Sequence, residues 1–225
     1  MRVLRIINGL AGSLLLCLVM AGSADASQIA RPLYWAIPTW HKPGGQINGR
    51  IEAIARSGLA SGFLVVDRRN VSGDSWLGIR VGKRPNDRVG WVPAQMVTTK
   101  RTRGSLTISL KNRRMTLHLG RYRAWTAKVI VGKPSTPSPR GLFAIHDFYR
   151  VNDDLKPWVI ETTAHSEILR SFLGGPARVA IHGRHGALMA PWGEAASNGC
   201  IRTPDWALRS IRKRLAIGSP VRIRW

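Results

Sequence analysis

Apolar residues fall in short alternating bursts along most of the chain and at helical spacing in one place. Leu106, Ile108 and Leu110 alternate with polar residues, "KNRR" interrupts the run, and Met115, Leu117 and Leu119 alternate again. Period two on both sides of a polar turn predicts a hairpin with one apolar face. "AWTAKVIVG", "LFAIHDFY", "ARVAIHG" and the closing "SPVRIRW" predict further strands. Upstream, "GFLVVD", "SWLGIRV" and "VGWVPAQMV" are short and separated by Gly and Pro, the pattern of a small β-barrel. "KPSTPSPRG" holds three prolines in nine residues, each lacking a backbone donor, and predicts a loop. Near the end, Ala207, Ile211 and Leu215 recur every four residues with Leu208 beside them, so a helix there buries one face. Thr203 is placed to cap it, Pro204 suits its first turn, Asp205 complements its dipole and Gly218 can end it. The expected fold class is mainly β with one helix near the carboxyl end, and no internal repeat is evident.

The same pattern divides the chain. In residues 1–26, Arg2 and Arg5 precede the apolar run "LLLCLVMAG", which leads to Ala24-Asp25-Ala26, the layout of an export signal cut before Ser27. The run is too short for a stable membrane span, and no later stretch is long and apolar enough. Cys17 as a lipoprotein cysteine is the alternative, disfavoured by the bulk of Leu16 before it. Residues 27–99 form the expected small β domain, "TKRTRG" reads as a basic linker, and residues 104–225 form a second domain. Trp76-x-Gly-Ile-Arg followed by Gly90-Trp91-Val92-Pro93 resembles bacterial Src-homology-3-like modules. That resemblance implies binding of peptidoglycan or its peptides, with a passive spacer as the other reading.

Charge narrows the partners. The chain carries a formal net charge of +23. Cutting the signal removes Arg2, Arg5 and Asp25 and leaves 33 basic against 11 acidic residues. Such a field holds a protein against a polyanion. For an exported protein, anionic polymers of the cell envelope fit better than nucleic acid. A solvated, arginine-rich surface explains the scattered charges equally well.

After signal removal one cysteine remains, Cys200 in "AASNGCIRT". An unpaired exported cysteine is an intermolecular bridge, a reactive thiol or a buried residue. To attack a carbonyl, a thiol needs a base or positive field and donors for the oxyanion. Gly199 lets backbone approach a substrate closely, and the amides of Gly199 and Cys200 lie just before the predicted helix, where N–H groups are left unpaired. Histidine is the side chain that accepts a proton near neutrality without much tuning. His182 ends an apolar strand and Gly183 follows it, a position from which an imidazole is held rigidly and still meets solvent, although a structural histidine is the simpler reading of that residue alone.

"IHG" at 181–183, followed 18 positions after His182 by the cysteine of "SNGCIR", resembles the signature of L,D-transpeptidases, cysteine enzymes that crosslink bacterial peptidoglycan. The resemblance spans roughly residues 104–225, with the hairpin, "VIVGKPSTPSPRGLFAI", the helix and "GSPVRIRW" in the family's order. It implies Cys200 as nucleophile, His182 as its base and the Gly183 carbonyl as orienting group. Ser197, Gly199 and Arg202 fall on matching positions. Asn198 stands where many members have histidine and cannot act as acid or base, so the proton work rests on His182 while Asn198 shapes the loop by hydrogen bonding. Arg202 is read either as a bidentate ligand for a substrate carboxylate or as a salt-bridged or surface charge.

The resemblance further implies peptidoglycan stem peptides as substrate, no metal or cofactor, and sensitivity to carbapenems. An L,D-carboxypeptidase-type hydrolase on the same site and a non-catalytic wall-binding protein are the rival readings. A zinc site of His182, His185 and Cys200 is disfavoured, since no second cysteine or nearby acid completes it. His146 and Tyr149 on another strand end can line a cleft, and Trp192 can cover a substrate; packing or exposure is the simpler reading for all three.

Overall fold

The computed structural model describes residues 26–150, 158–172, 174–184 and 190–225. The expected export signal with Cys17 lies outside them apart from Ala26, and so does His185.

Where the sequence predicts a small barrel, the chain forms a seven-stranded antiparallel sheet. Its strands are β1 (Ser27–Pro32), β2 (Ala36–Trp40), β3 (Ile47–Glu52), β4 (Phe63–Val71), β5 (Asp74–Arg80), β6 (Val89–Pro93) and β7 (Val97–Thr102), in the order β3-β2-β6-β5-β4-β1-β7. Alternation puts Ile37, Leu77, Ile79 and Val92 into one apolar cluster.

The expected linker is a correction. Most of "TKRTRG" is strand: β7 pairs along the whole of β1, from Ser27↔Thr102 to Pro32↔Val97. Thr98, Thr99 and Thr102 are β-branched, and Lys100 and Arg101 suit an edge strand whose charge deters further pairing. Arg103 alone separates β7 from the next strand.

The second sheet has eight strands. Its elements are β8 (Gly104–Ser109), β9 (Arg114–Leu119), β10 (Tyr122–Lys128), β12 (Gly141–Tyr149), β13 (Val159–His165), β16 (Arg178–His182), β18 (Ile201–Arg202) and β19 (Pro220–Arg224), in the order β10-β9-β8-β19-β12-β13-β16-β18. Two small pairs flank it, β11 (Val131–Gly132) with β17 (Ala195–Ser197), and β14 (Ser171–Phe172) with β15 (Gly175–Pro176). The predicted hairpin is β8–β9, with Leu106↔Leu117 and Ile108↔Met115 in register and buried. β19 returns parallel to β8, so the chain's end closes the middle of the sheet. The proline-rich stretch before β12 is loop, as its missing donors require.

The helix α1 (Asp205–Arg214) buries Ala207, Leu208 and Ile211 in the core. Its ends differ from the expected ones. Pro204 occupies the cap position with no side-chain bond, and the Thr203 hydroxyl is buried without a hydrogen-bond partner among the described residues. At the far end the helix stops at Arg214, where Leu215 turns extended. Gly218, at φ +90°, instead forms the turn into β19.

The two sheets are joined by polar contacts. The Arg84 guanidinium donates to the carbonyls of Ser166 and Leu169 at 2.5 and 2.8 Å. The Asn86 side chain takes both backbone groups of His165, at 2.7 and 2.9 Å. Arg178 Nη1 donates to the Gly82 carbonyl at 3.1 Å.

Candidate active site

Between the sheets lies a cleft of about 720 Å³, whose lining includes Arg50, Glu52, Arg56 and Lys83 from the first region and His146, Tyr149, Glu161, Arg178, His182 and Cys200 from the second. Strand pairing sets its floor. β16 and β18 run parallel with Ile181↔Ile201 and His182↔Arg202 in register. Both isoleucines are fully buried, so the alternate residues of β16, Ala180 and His182, face the cleft. Cys200 stands one residue before β18, opposite Ala180 in that register. The Ala180 backbone hydrogen-bonds its sulfur. His182 is therefore two residues along the neighbouring strand on the same face.

The resemblance implies the Gly183 carbonyl as the group that orients the imidazole. His182 Nδ1 lies 2.7 Å from the Gly183 carbonyl oxygen. A carbonyl only accepts, so Nδ1 carries a proton, and in the neutral ring Nε2 presents a lone pair. Cys200 is a free, partly exposed thiol. Burial pushes its pKa up, while the Ala180 hydrogen bond and the charge of Arg202 pull it down. The resting sulfur is thus a thiol that needs a base. Arg202 is 7% exposed, which removes the surface-charge reading. Its backbone is fixed to Ile130 by two 2.9 Å bonds, and once the sulfur ionises, the thiolate charge offsets part of the desolvation of Arg202.

The loop before the cysteine corrects one expectation. Ser197 Oγ donates to the Cys200 carbonyl at 2.6 Å and accepts the Gly199 N–H at 3.1 Å. Ser138 Oγ in turn donates to the Gly199 carbonyl at 2.8 Å. The Gly199 amide is therefore spent inside the loop rather than facing a substrate oxyanion, and Ser197, buried, shapes the turn. Gly199 is needed for its φ of +111°. Nor does the thiol sit at the helix end, because Ile201 and Arg202 pair with β16 before Asp205 begins α1. Asn198 is exposed in the bend.

The structure brings His146 and Tyr149 into the cleft, overturning the packing reading for both. With them come Glu161 and Arg178, which sequence reasoning missed. Arg178 Nε lies 3.4 Å and His146 Nε2 3.8 Å from Glu161 Oε2. Burial, with the Arg178 charge, lowers the His146 pKa to about 4, so the imidazole is neutral at pH 7. Burial raises the Glu161 pKa against the pull of Arg178. It also raises that of Tyr149, where Glu161 and Cys200 add to the effect. Trp192 packs under the Arg184 guanidinium, 4.1 Å from its ring centre. The zinc trio requires His185, outside the described residues; among the described residues no cluster of three His, Cys, Asp or Glu forms a metal site. No helix among them is long and apolar enough to cross a membrane.

Taken together, residues 104–225 are a mainly β region with a thiol and an imidazole on neighbouring strands of one cleft. The family model of the YkuD, or L,D-transpeptidase catalytic, domain matches residues 103–223, and the chain belongs to that family. Solved structures similar to it include an L,D-transpeptidase from Mycobacterium smegmatis, 10% identical over 72% of this chain and 99% of that one, with a TM-score of 0.45. An L,D-transpeptidase from Mycobacterium tuberculosis H37Rv is 16% identical over 68% and 90%, with a TM-score of 0.47. The Ldtfm-avibactam carbamoyl enzyme is 20% identical, with a TM-score of 0.43; the matched region covers 55% of this chain and about half, 49%, of that one. No curated protein matches the chain.

Proposed function

We propose that this protein is an exported L,D-transpeptidase that joins peptidoglycan stem peptides through a thioester on Cys200. The observation that supports this most directly is that Cys200, one residue before β18, and His182, on the parallel strand beside it, line one cleft, with the imidazole Nδ1 tied to Gly183.

The steps follow from the protonation states. His182 Nε2 takes the Cys200 proton as the sulfur attacks the carbonyl of the third stem residue, and the carbonyl π electrons move to oxygen. The Cys200 amide is the proposed oxyanion donor. The oxyanion collapses, the peptide C–N bond breaks, and His182 gives its proton to the departing D-alanine. An amine of a second stem then attacks the thioester, His182 takes the amine proton, and the thiolate leaves and is reprotonated. Arg202 favours the charged sulfur in both directions. Water in place of the amine gives the carboxypeptidase outcome.

Intact-mass spectrometry after incubation with a carbapenem tests the nucleophile. One covalent adduct on the protein, absent from Cys200→Ala, is expected; no adduct, or one that persists in that variant, defeats the assignment. Product analysis with tetrapeptide stems and an amine acceptor separates crosslinked dimer from trimmed tripeptide.

A further inference from the structure

A second cavity of about 690 Å³ shares no lining residue with the Cys200 cleft. It sits where the two sheets meet. Arg80 ends β5, with Arg84 and Asp87 just beyond, while Arg140 precedes β12 and Glu167 and Arg170 follow β13. Four guanidinium groups against two carboxylates leave two positive charges over. Arg84 is held by the Ser166 and Leu169 carbonyls, which orient its guanidinium without neutralising it.

Arg80 is the more telling residue. Its Nε and Nη1 are buried and have no hydrogen-bond partner among the described residues. Asp87 acts on it through space, against the dominant effect of burial. Unmet, these donors leave the Arg80 charge uncompensated at the cavity wall, a cost that an anion in the cavity lowers. Guanidinium forks match phosphate oxygens in pairs. A phosphate group, free or in a diester, also directs its oxygens tetrahedrally and so meets donors from more than one side, which a planar carboxylate does less well.

We propose that this cavity binds a phosphate group, with Arg80 and Arg140 as donors and Arg84 as a fixed positive charge. Its source is either free phosphate or the phosphodiester of an anionic polymer. Because the donors come from both sheets, the occupant clamps them together.

Isothermal titration of the purified protein with inorganic phosphate, at constant ionic strength, tests this. One saturable site is expected, together with a rise in the thermal midpoint, since a ligand of the folded state alone stabilises it. Arg80→Gln is expected to weaken binding roughly tenfold, the effect of losing one charge-assisted bond. Arg140→Gln changes an exposed side chain, keeps the core intact and is expected to weaken binding several-fold. Arg123→Gln, which removes the same charge from β10, is expected to leave binding unchanged. Absence of saturation, or an Arg123→Gln loss equal to that of Arg140→Gln, overturns the site in favour of the general positive field. With the site filled by phosphate, displacement by a glycerol phosphate oligomer supports it and names a polymer as the source. Retention of phosphate in excess oligomer supports it and names the free ion.

Discussion

Ser57 and Asp147, ninety positions apart, are hydrogen-bonded twice: Oγ to Oδ1 at 2.5 Å and the Ser57 N–H to Oδ2 at 3.0 Å. Asp147 is 3% exposed and its Oδ1 also accepts the Phe148 N–H at 2.7 Å. One buried carboxylate thus fixes a loop of the first region beside the cleft, next to His146. Asp147→Ala strands these donors and is expected to lower stability by about 2–4 kcal/mol, whereas Ser57→Ala removes one bond to the carboxylate, with the long 3.4 Å bond from the Leu59 N–H, and costs about 1 kcal/mol. Urea unfolding of both variants checks the ranking; equal effects would show that the carboxylate is not the shared anchor.

The turn into β19 depends on backbone approach. A Cβ on Gly218 would lie 2.7 Å from Ile29 Cγ2, 2.9 Å from Gly62 C and 3.0 Å from Phe63 N, at a φ of +90°. Gly58 has a similar φ of +82° but open space around it. Gly58→Ala is therefore expected to cost about 1 kcal/mol of backbone strain, and Gly218→Ala several times more, because backbone atoms of the first region must move. Thermal midpoints of the two variants separate strain from collision.

Acid should weaken the fold through two histidines. His146 and His165 both have pKa values lowered to about 4, first by burial and then by Arg178. His165 is 3% exposed and its Nδ1 has no hydrogen-bond partner among the described residues. In the unfolded chain both titrate near the ordinary value of about 6.5. Between there and about 4 the unfolded state binds protons that the folded state refuses, so stability falls as pH drops through that window and is flat above it. Glu161, with its pKa raised by burial, acts with the opposite sign, contributing stability at acid pH that is lost as pH rises. The urea midpoint is expected to fall between pH 6.5 and 4.5, and less steeply in His146→Gln and His165→Gln. An unchanged slope in both variants would assign the acid sensitivity elsewhere.

How much of this was legible in the sequence depended on burial. The β8–β9 hairpin has one buried face, so alternation announced it. β13 is buried on both faces, with only Glu161 partly exposed among its seven residues, and without alternation "VIETTAH" gave no period to read. Glu161 was missed with its strand, and Arg178, whose partners lie on β13 and at Gly82, had no local signal. β7 looked like a linker because edge strands carry the charges that linkers carry. Cys200 and His182 were visible through their spacing, which the parallel pairing of β16 and β18 turns into proximity. The fate of the Gly199 amide was hidden, since the Ser197 hydroxyl claims it only in the folded loop.

Arg202 is the residue through which the sulfur's reactivity is most directly tunable. It is buried, in register with His182, and its charge lowers the Cys200 pKa that burial raises. Without substrate, alkylation by iodoacetamide is therefore expected to be slow at neutral pH and to rise with a midpoint above that of an ordinary thiol, because only the thiolate reacts. Arg202→Gln removes the attraction and should move the midpoint further alkaline; a tenfold slowing at neutral pH would correspond to about 1.4 kcal/mol of lost attraction between the two charges. Arg202→Lys keeps the charge and should restore most of the rate, which separates electrostatics from packing. Should the Gln variant alkylate with the parent's pH profile, Arg202 does not act on the sulfur, and its burial serves the β18–Ile130 junction alone.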